Sequence, residues 1–208
     1  MVGSGQPRRV GVVLFDRFEL LDVFGPLELL GALGDRFELN LIGPAADAVR
    51  SAQGPQVLAA SGYSEASSAD IVLVPGGIGT RSLVHDREFL AWLAGWAASA
   101  ELVTSVCTGS AVLAAAGLLD GYRATSNKRA FSWVESQRSA VRWVRQARWV
   151  ADRDRWTSSG VAAGMDMTLA LIAHLHDEQL ALQVADGVEY DWHRDPTWDP
   201  FAAKNGLL

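Results

Sequence analysis

Cysteine is nearly absent from this sequence: Cys107 is the only one in 208 residues. An intrachain disulfide is therefore excluded, and a reducing compartment is the setting the composition predicts. No apolar run reaches the roughly 20 residues that a membrane-crossing helix needs. The nearest approach, residues 161–175, is too short and carries Asp166. No basic cluster with interleaved aromatics occurs, and the net charge of −6 disfavours a nucleic-acid partner. The arginines between Arg138 and Arg155 are broken up by Trp143 and Trp149 and are expected to decorate exposed strand and loop faces. Residues 1–9 lack the apolar core of a secretion signal. Together these absences predict a cytoplasmic protein without membrane or nucleic-acid partners. Histidine is scarce too: His85, His174, His176 and His193, none beside Cys107. His174 and His176 with Asp177 and Glu178 match no zinc spacing, so no metal is expected.

What is present is apolar material in a regular order. A chain that is 49% hydrophobic and 20% charged suits one domain, residues 1–208, with a substantial core. Short β-branched runs at residues 9–15, 37–42, 71–74 and 102–106 read as buried strands. Residues 53–60 read as a short hairpin, 122–125 as a short strand, and 141–151 and 155–159 as edge strands. Helical patterns fall at 19–33, 87–98, 128–136, 161–175 and 178–190, while 192–208 reads as irregular and rich in Pro, Trp and Asp. Strands spaced by helices predict an α/β fold: a mostly parallel sheet with helices on both faces, a flavodoxin-like sandwich. The eight tryptophans are expected to pack rather than form a ligand cage.

In such a sheet, ligands collect at the carboxyl ends of the strands. Three loops should converge there, after the strands that end near Phe15, Val74 and Val106. The third carries Cys107 straight from a strand into a helix, the logic of a nucleophile elbow with thiol in place of hydroxyl. A helix start lowers a thiol pKa and offers free N–H groups to developing negative charge. A buried structural cysteine fits the same turn, since free cysteine is among the most buried residues. The residues alone leave both readings open. The first loop brings Asp16, Glu19 and Asp22 within reach. Asp22 is flanked by Leu20, Leu21, Val23 and Phe24, and an acid in so apolar a run needs a partner or a function, whether as a helix cap or in chemistry. The Pro75-Gly76-Gly77 turn can bring backbone N–H groups close to a substrate, which makes Gly76, Gly77 and the adjoining Ile78 candidate substrate contacts.

Several pieces together carry a resemblance. They are Leu20-Leu21-Asp22-Val23-Phe24-Gly25-Pro26, Val74-Pro75-Gly76-Gly77, Thr104-Ser105-Val106-Cys107-Thr108-Gly109-Ser110, Ala115-Ala116-Gly117-Leu118-Leu119 and residues 160–166. On these the chain resembles the ThiJ/PfpI superfamily, with its class I glutamine amidotransferase-like fold, and most of all its isonitrile hydratase branch. The resemblance implies a cysteine-dependent hydro-lyase that adds water to an isonitrile. In that role Cys107 is the nucleophile, Asp22 the acid/base, and Thr108 positions substrate or aspartate. It implies a small-molecule substrate, no cofactor and a homodimer, for which Phe18, Leu20 and Leu27 are the candidate exposed apolar face.

The departures bear on substrate choice. Thr125-Ser126-Asn127-Lys128 stands where the branch has Thr-Thr-His-Trp, and Thr157-Ser158-Ser159-Gly160 replaces a more glycine-rich stretch. Residues 191–201 are longer and more aromatic than the pattern. Thr108 also replaces the histidine that follows the cysteine in protease-like members, which argues against proteolysis. With 208 residues, the sequence is not expected to carry the helix-turn-helix module of related regulators. The alternatives are another cofactor-free thiol hydrolase, hydratase or glyoxalase, or a non-catalytic domain whose cysteine senses oxidants or binds ligands.

Overall fold

The computed structural model describes residues 6–208. Of the leading segment read for a secretion signal, residues 1–5 lie outside the described residues. The strands are β1 (Arg8–Val13), β2 (Phe37–Gly43), β3 (Ala48–Arg50), β4 (Gln56–Leu58), β5 (Ser61–Gly62), β6 (Ile71–Val74), β7 (Leu102–Ser105), β8 (Arg123–Ala124), β9 (Arg142–Trp143), β10 (Trp149–Asp152) and β11 (Arg155–Ser158). The helices are α1 (Leu20–Gly31), α2 (Thr80–Leu83), α3 (Arg87–Trp96), α4 (Gly109–Ala115), α5 (Phe131–Glu135), α6 (Ala163–Leu175), α7 (Glu178–Gly187) and α8 (Pro200–Lys204).

One seven-stranded sheet runs β10-β11-β7-β6-β1-β2-β5. Every neighbouring pair is parallel except β10 with β11. All four residues of β6 and all four of β7 are buried, so these strands show no alternation of apolar and polar residues. That is the pattern expected where helices cover both faces of a parallel sheet. The parallel order places the ends of β1, β6 and β7 side by side, with Val12 paired to Leu73 and Val74 to Ser105. The three loops expected to converge therefore do. Pro26 sits inside α1 and removes the N–H that would bond the Asp22 carbonyl.

Several expectations need correction. The hairpin pairs β3 with β4, so residues 53–60 contain only its second arm. The two short strands β8 and β9 pair with each other outside the main sheet. The C-terminal segment read as irregular contains α8, whose start is set by Asp199 accepting from the Phe201 N–H and by Pro200 in the first turn. Five helical residues carry no periodic signal, which is why the pattern missed them. Phe18 cannot serve an exposed face: it is fully buried, and Leu20 and Leu27 are half-buried against the core. The exposed apolar residues of α1 are instead Leu21 and Phe24. Arg148 is not a surface decoration either. It is buried and ion-paired with the buried Asp166, whose other oxygen accepts from Tyr190 Oη and the His193 N–H.

Candidate active site

Cys107 occupies the turn between β7 and α4 with a φ of +56°, in the left-handed region that costs a residue with a side chain roughly 1–2 kcal/mol. The surroundings fix it there. Its N–H donates to the Ser159 carbonyl at 3.2 Å, and its carbonyl accepts from Ser126 Oγ at 2.8 Å and Ser110 Oγ at 3.2 Å. Gly109 lets the turn close against β6, since a Cβ there would come within 2.8 Å of the Pro75 carbonyl. A strained residue held by its neighbours in this way marks a position where geometry matters more than comfort.

Asp22, the third residue of α1, is fully buried. It does not cap its own helix. Its Oδ2 accepts from the Gly76 N–H at 2.8 Å, across 54 positions of sequence, while Oδ1 is buried without a hydrogen-bond partner. Gly76 is what brings acid and thiol together: a Cβ on it would lie 2.8 Å from both Asp22 Oδ2 and Cys107 Cβ and 2.6 Å from Thr108 N. Burial pushes the Asp22 carboxyl up to about 7, opposed by the Gly76 N–H, reinforced by the charge of Glu19 and opposed again by the Cys107 thiol. Gly76→Ala is therefore expected to force the turn apart. It should lower unfolding stability by about 1–3 kcal/mol in a denaturant titration, and no loss would show that the turn gives way freely.

The thiol behaves differently from the sequence expectation. Burial raises its pKa, the neighbouring Asp22 charge raises it further, and these outweigh the stabilising N–H groups of Thr108 and Val161 and the Asn127 amide. The helix start alone would lower it, but α4 acts here in a site almost closed to water. Cys107 therefore rests as a thiol beside a carboxyl that titrates near neutrality. Val161, which offers its N–H to the sulfur, itself has a φ of +36°.

Of the remaining predicted residues, Thr108 and Gly77 join this pair, whereas no contact brings Ile78 or Asp16 to it. Thr108 Oγ1 accepts from the Gly77 N–H at 3.1 Å and lies 3.2 Å from Thr80 Oγ1, so its hydroxyl braces the Gly77 turn. Gly77 has a φ of +130°, and a Cβ there would meet the backbone of Arg17, Phe18 and Glu19. Ile78 follows with its side chain half exposed. Asp16 is exposed, and Glu19 bonds Gln53 Nε2 at 2.6 Å. Asn127 is marked in the sequence only as part of a departure bearing on substrate choice, not as a partner of the thiol, and Val161 is not singled out. The Asn-Lys replacement at 127–128 was the one visible signal, and the Val161 conformation had none.

A parallel α/β sheet that presents a strained cysteine elbow to a buried acid defines a class of thiol-bearing domains. The chain belongs to the DJ-1/PfpI family, whose pattern matches residues 8–174. It is 34% identical over 182 residues to the isonitrile hydratase of Pseudomonas putida, covering 88% of this chain and 78% of that protein. It is 31% identical over 190 residues to the HTH-type transcriptional regulator GbdR of Pseudomonas aeruginosa, covering 89% of this chain but 51% of the regulator, about half its length. Among solved structures, a ThiJ/PfpI family protein from Pseudomonas syringae superposes with a TM-score of 0.84 at 29% identity, over 98% of this chain and 86% of that one.

Proposed function

We propose that this protein, a single domain over residues 1–208, hydrates isonitriles to N-substituted formamides, with Cys107 as nucleophile and Asp22 as proton carrier. The observation that carries the proposal is the fully buried Asp22 carboxyl, held by the Gly76 N–H against the turn that carries Cys107. The resemblance to the isonitrile hydratase supports it.

The chemistry balances with the thiol, the acid and water alone. The Cys107 proton passes to Asp22, and Asp22 delivers a proton to the terminal isonitrile carbon as sulfur attacks it. The carbon thereby gains one C–H and one C–S bond, and the product is a thioimidate, R–N=CH–S–Cys. The Thr108 and Val161 N–H groups and the Asn127 amide stabilise sulfur as it gives up its proton. Asp22 then takes a proton from water, which adds to the same carbon, and nitrogen is protonated. The C–S bond breaks, the formamide leaves, and the second water proton returns to sulfur through Asp22. Placing proton transfers within one carboxyl is worth about a hundredfold to ten-thousandfold.

This cycle sets the pH dependence. The reactive state holds one proton between Cys107 and Asp22. Below about pH 7 both are protonated, and sulfur cannot lose its proton to a filled carboxyl. The kcat/KM for a simple alkyl isonitrile is therefore expected to rise with pH through about 7, the titration of Asp22. A kcat/KM that falls over the same range would remove Asp22 from this role. Thr108 acts through the Gly77 turn. Thr108→Val keeps its shape and removes its hydrogen bonds, and turnover should drop about tenfold to a few hundredfold, the size of one or two polar contacts. Unchanged kinetics would make Thr108 a packing residue.

A further inference from the structure

Two of the departures of this chain from its resemblance, the Asn127-Lys128 pair and the C-terminal segment, meet in space. Lys128 Nζ lies 3.3 Å from Asp199 Oδ2, with both side chains almost fully buried. The ammonium also donates to Thr125 Oγ1 at 2.6 Å, the Ala147 carbonyl at 2.9 Å and the Ser126 carbonyl at 3.1 Å. Asp199 in turn caps α8 through the Phe201 N–H at 3.0 Å. A helix of five residues has no stability of its own, so α8 stays where this ion pair and the buried Ala202 hold it.

Between α8 and the cysteine loop lies a cavity of about 200 Å³, lined among others by Asn127, Gly160, Val161, Phe201 and Asn205. Asn127 and Val161 are the same residues that present their N–H groups to the Cys107 sulfur. Cys107 does not itself line the cavity, but Ser159, whose carbonyl accepts the Cys107 N–H at 3.2 Å, does, so the cavity opens beside the cysteine turn. A cavity of about 150 Å³ accepts benzene, so the volume here suffices for a single six-membered ring, with Val161 and Phe201 offering apolar surface among the polar Asn127, Arg129 and Asn205. Phe201 is half exposed, a large apolar side chain at the wall of an accessible hollow.

We infer that this cavity receives the organic substituent of the molecule that reacts at Cys107, that it takes a compact apolar ring or branched alkyl group, and that Phe201 on α8 is its selecting wall. In the isonitrile reading, on which the identity of the reacting group rests, the substituent is the group on nitrogen. The Lys128–Asp199 pair is a positioning device. It fixes α8 to the same loop that carries Asn127 to the sulfur. Removing Asp199's charge would strand a buried ammonium and release the wall.

The test uses alkylation of Cys107, which needs no isonitrile turnover. Rates with N-cyclohexyl-2-iodoacetamide and with 2-iodoacetamide are measured on the full chain by intact-mass spectrometry, and their ratio is the readout. Phe201→Ala is expected to lower the ratio about tenfold, the loss of one partly buried aromatic contact. Phe201 is half exposed, so its truncation leaves the fold intact. Asp199→Asn is expected to lower the ratio similarly and to speed amide hydrogen exchange in residues 200–207. A ratio within twofold of wild type in Phe201→Ala overturns the selecting wall. Unchanged exchange and ratio in Asp199→Asn overturn the latch. A protein that makes no formamide from any isonitrile yet shows the Phe201 effect contradicts only the isonitrile reading.

Discussion

Asp22→Asn is expected to lose a hundredfold to ten-thousandfold in formamide production while becoming more stable above neutral pH. The two effects have one cause. Asn keeps the shape and still accepts from the Gly76 N–H, but it carries no proton between sulfur and carbon. The same carboxyl destabilises the folded chain once it ionises. Its pKa rises from 3.8 to about 7 on folding, so the folded state binds the proton more tightly than the unfolded state does. That contribution to stability is fully present below the unfolded pKa and is lost as pH rises through about 7. At pH 8 the buried carboxylate should cost about 2–4 kcal/mol, which Asn avoids. Circular dichroism melts at pH 5 and pH 8 measure this, and iodoacetamide labelling confirms that Cys107 remains reactive. A variant with wild-type turnover, or one less stable than wild type at pH 8, contradicts the assignment.

Cys107→Ala should reduce formamide formation to the uncatalysed background, a loss of at least about a thousandfold. The alternative reading, a buried structural cysteine, predicts a different cost. Ala bears the same Cβ at the same left-handed φ of +56°, so backbone strain is unchanged. Only one sulfur leaves a site already crossed by backbone hydrogen bonds, and stability should change by about 1 kcal/mol or less. Measurable turnover in Cys107→Ala, or a collapse of the fold, would favour the structural role.

The placement of Cys107 and Asp22 side by side was legible in the sequence because its signals are local. The apolar runs at β1, β6 and β7 mark central strands, and the small residues after Cys107 mark the turn into α4. Asp22 was legible because an acid among Leu20, Leu21, Val23 and Phe24 has no local partner, and its partner proved to be the Gly76 N–H. Other features depend on contacts distant in sequence. The thiol pKa follows burial and the Asp22 charge, which override the helix start that the sequence displays. The Lys128–Asp199 pair joins residues 71 positions apart, and both look solvated when read singly. The burial of Phe18, misjudged as an exposed dimer face, is set by its bridge to Ser51 and by core packing that no window of sequence contains.

The most direct measurement mixes the purified protein with cyclohexyl isonitrile and follows both N-cyclohexylformamide and the intact protein mass. Many turnovers per chain without added cofactor are expected, with a transient mass increase of one isonitrile located on Cys107 and neither signal in Cys107→Ala. Formamide production no faster than that of Cys107→Ala would contradict the proposed hydration.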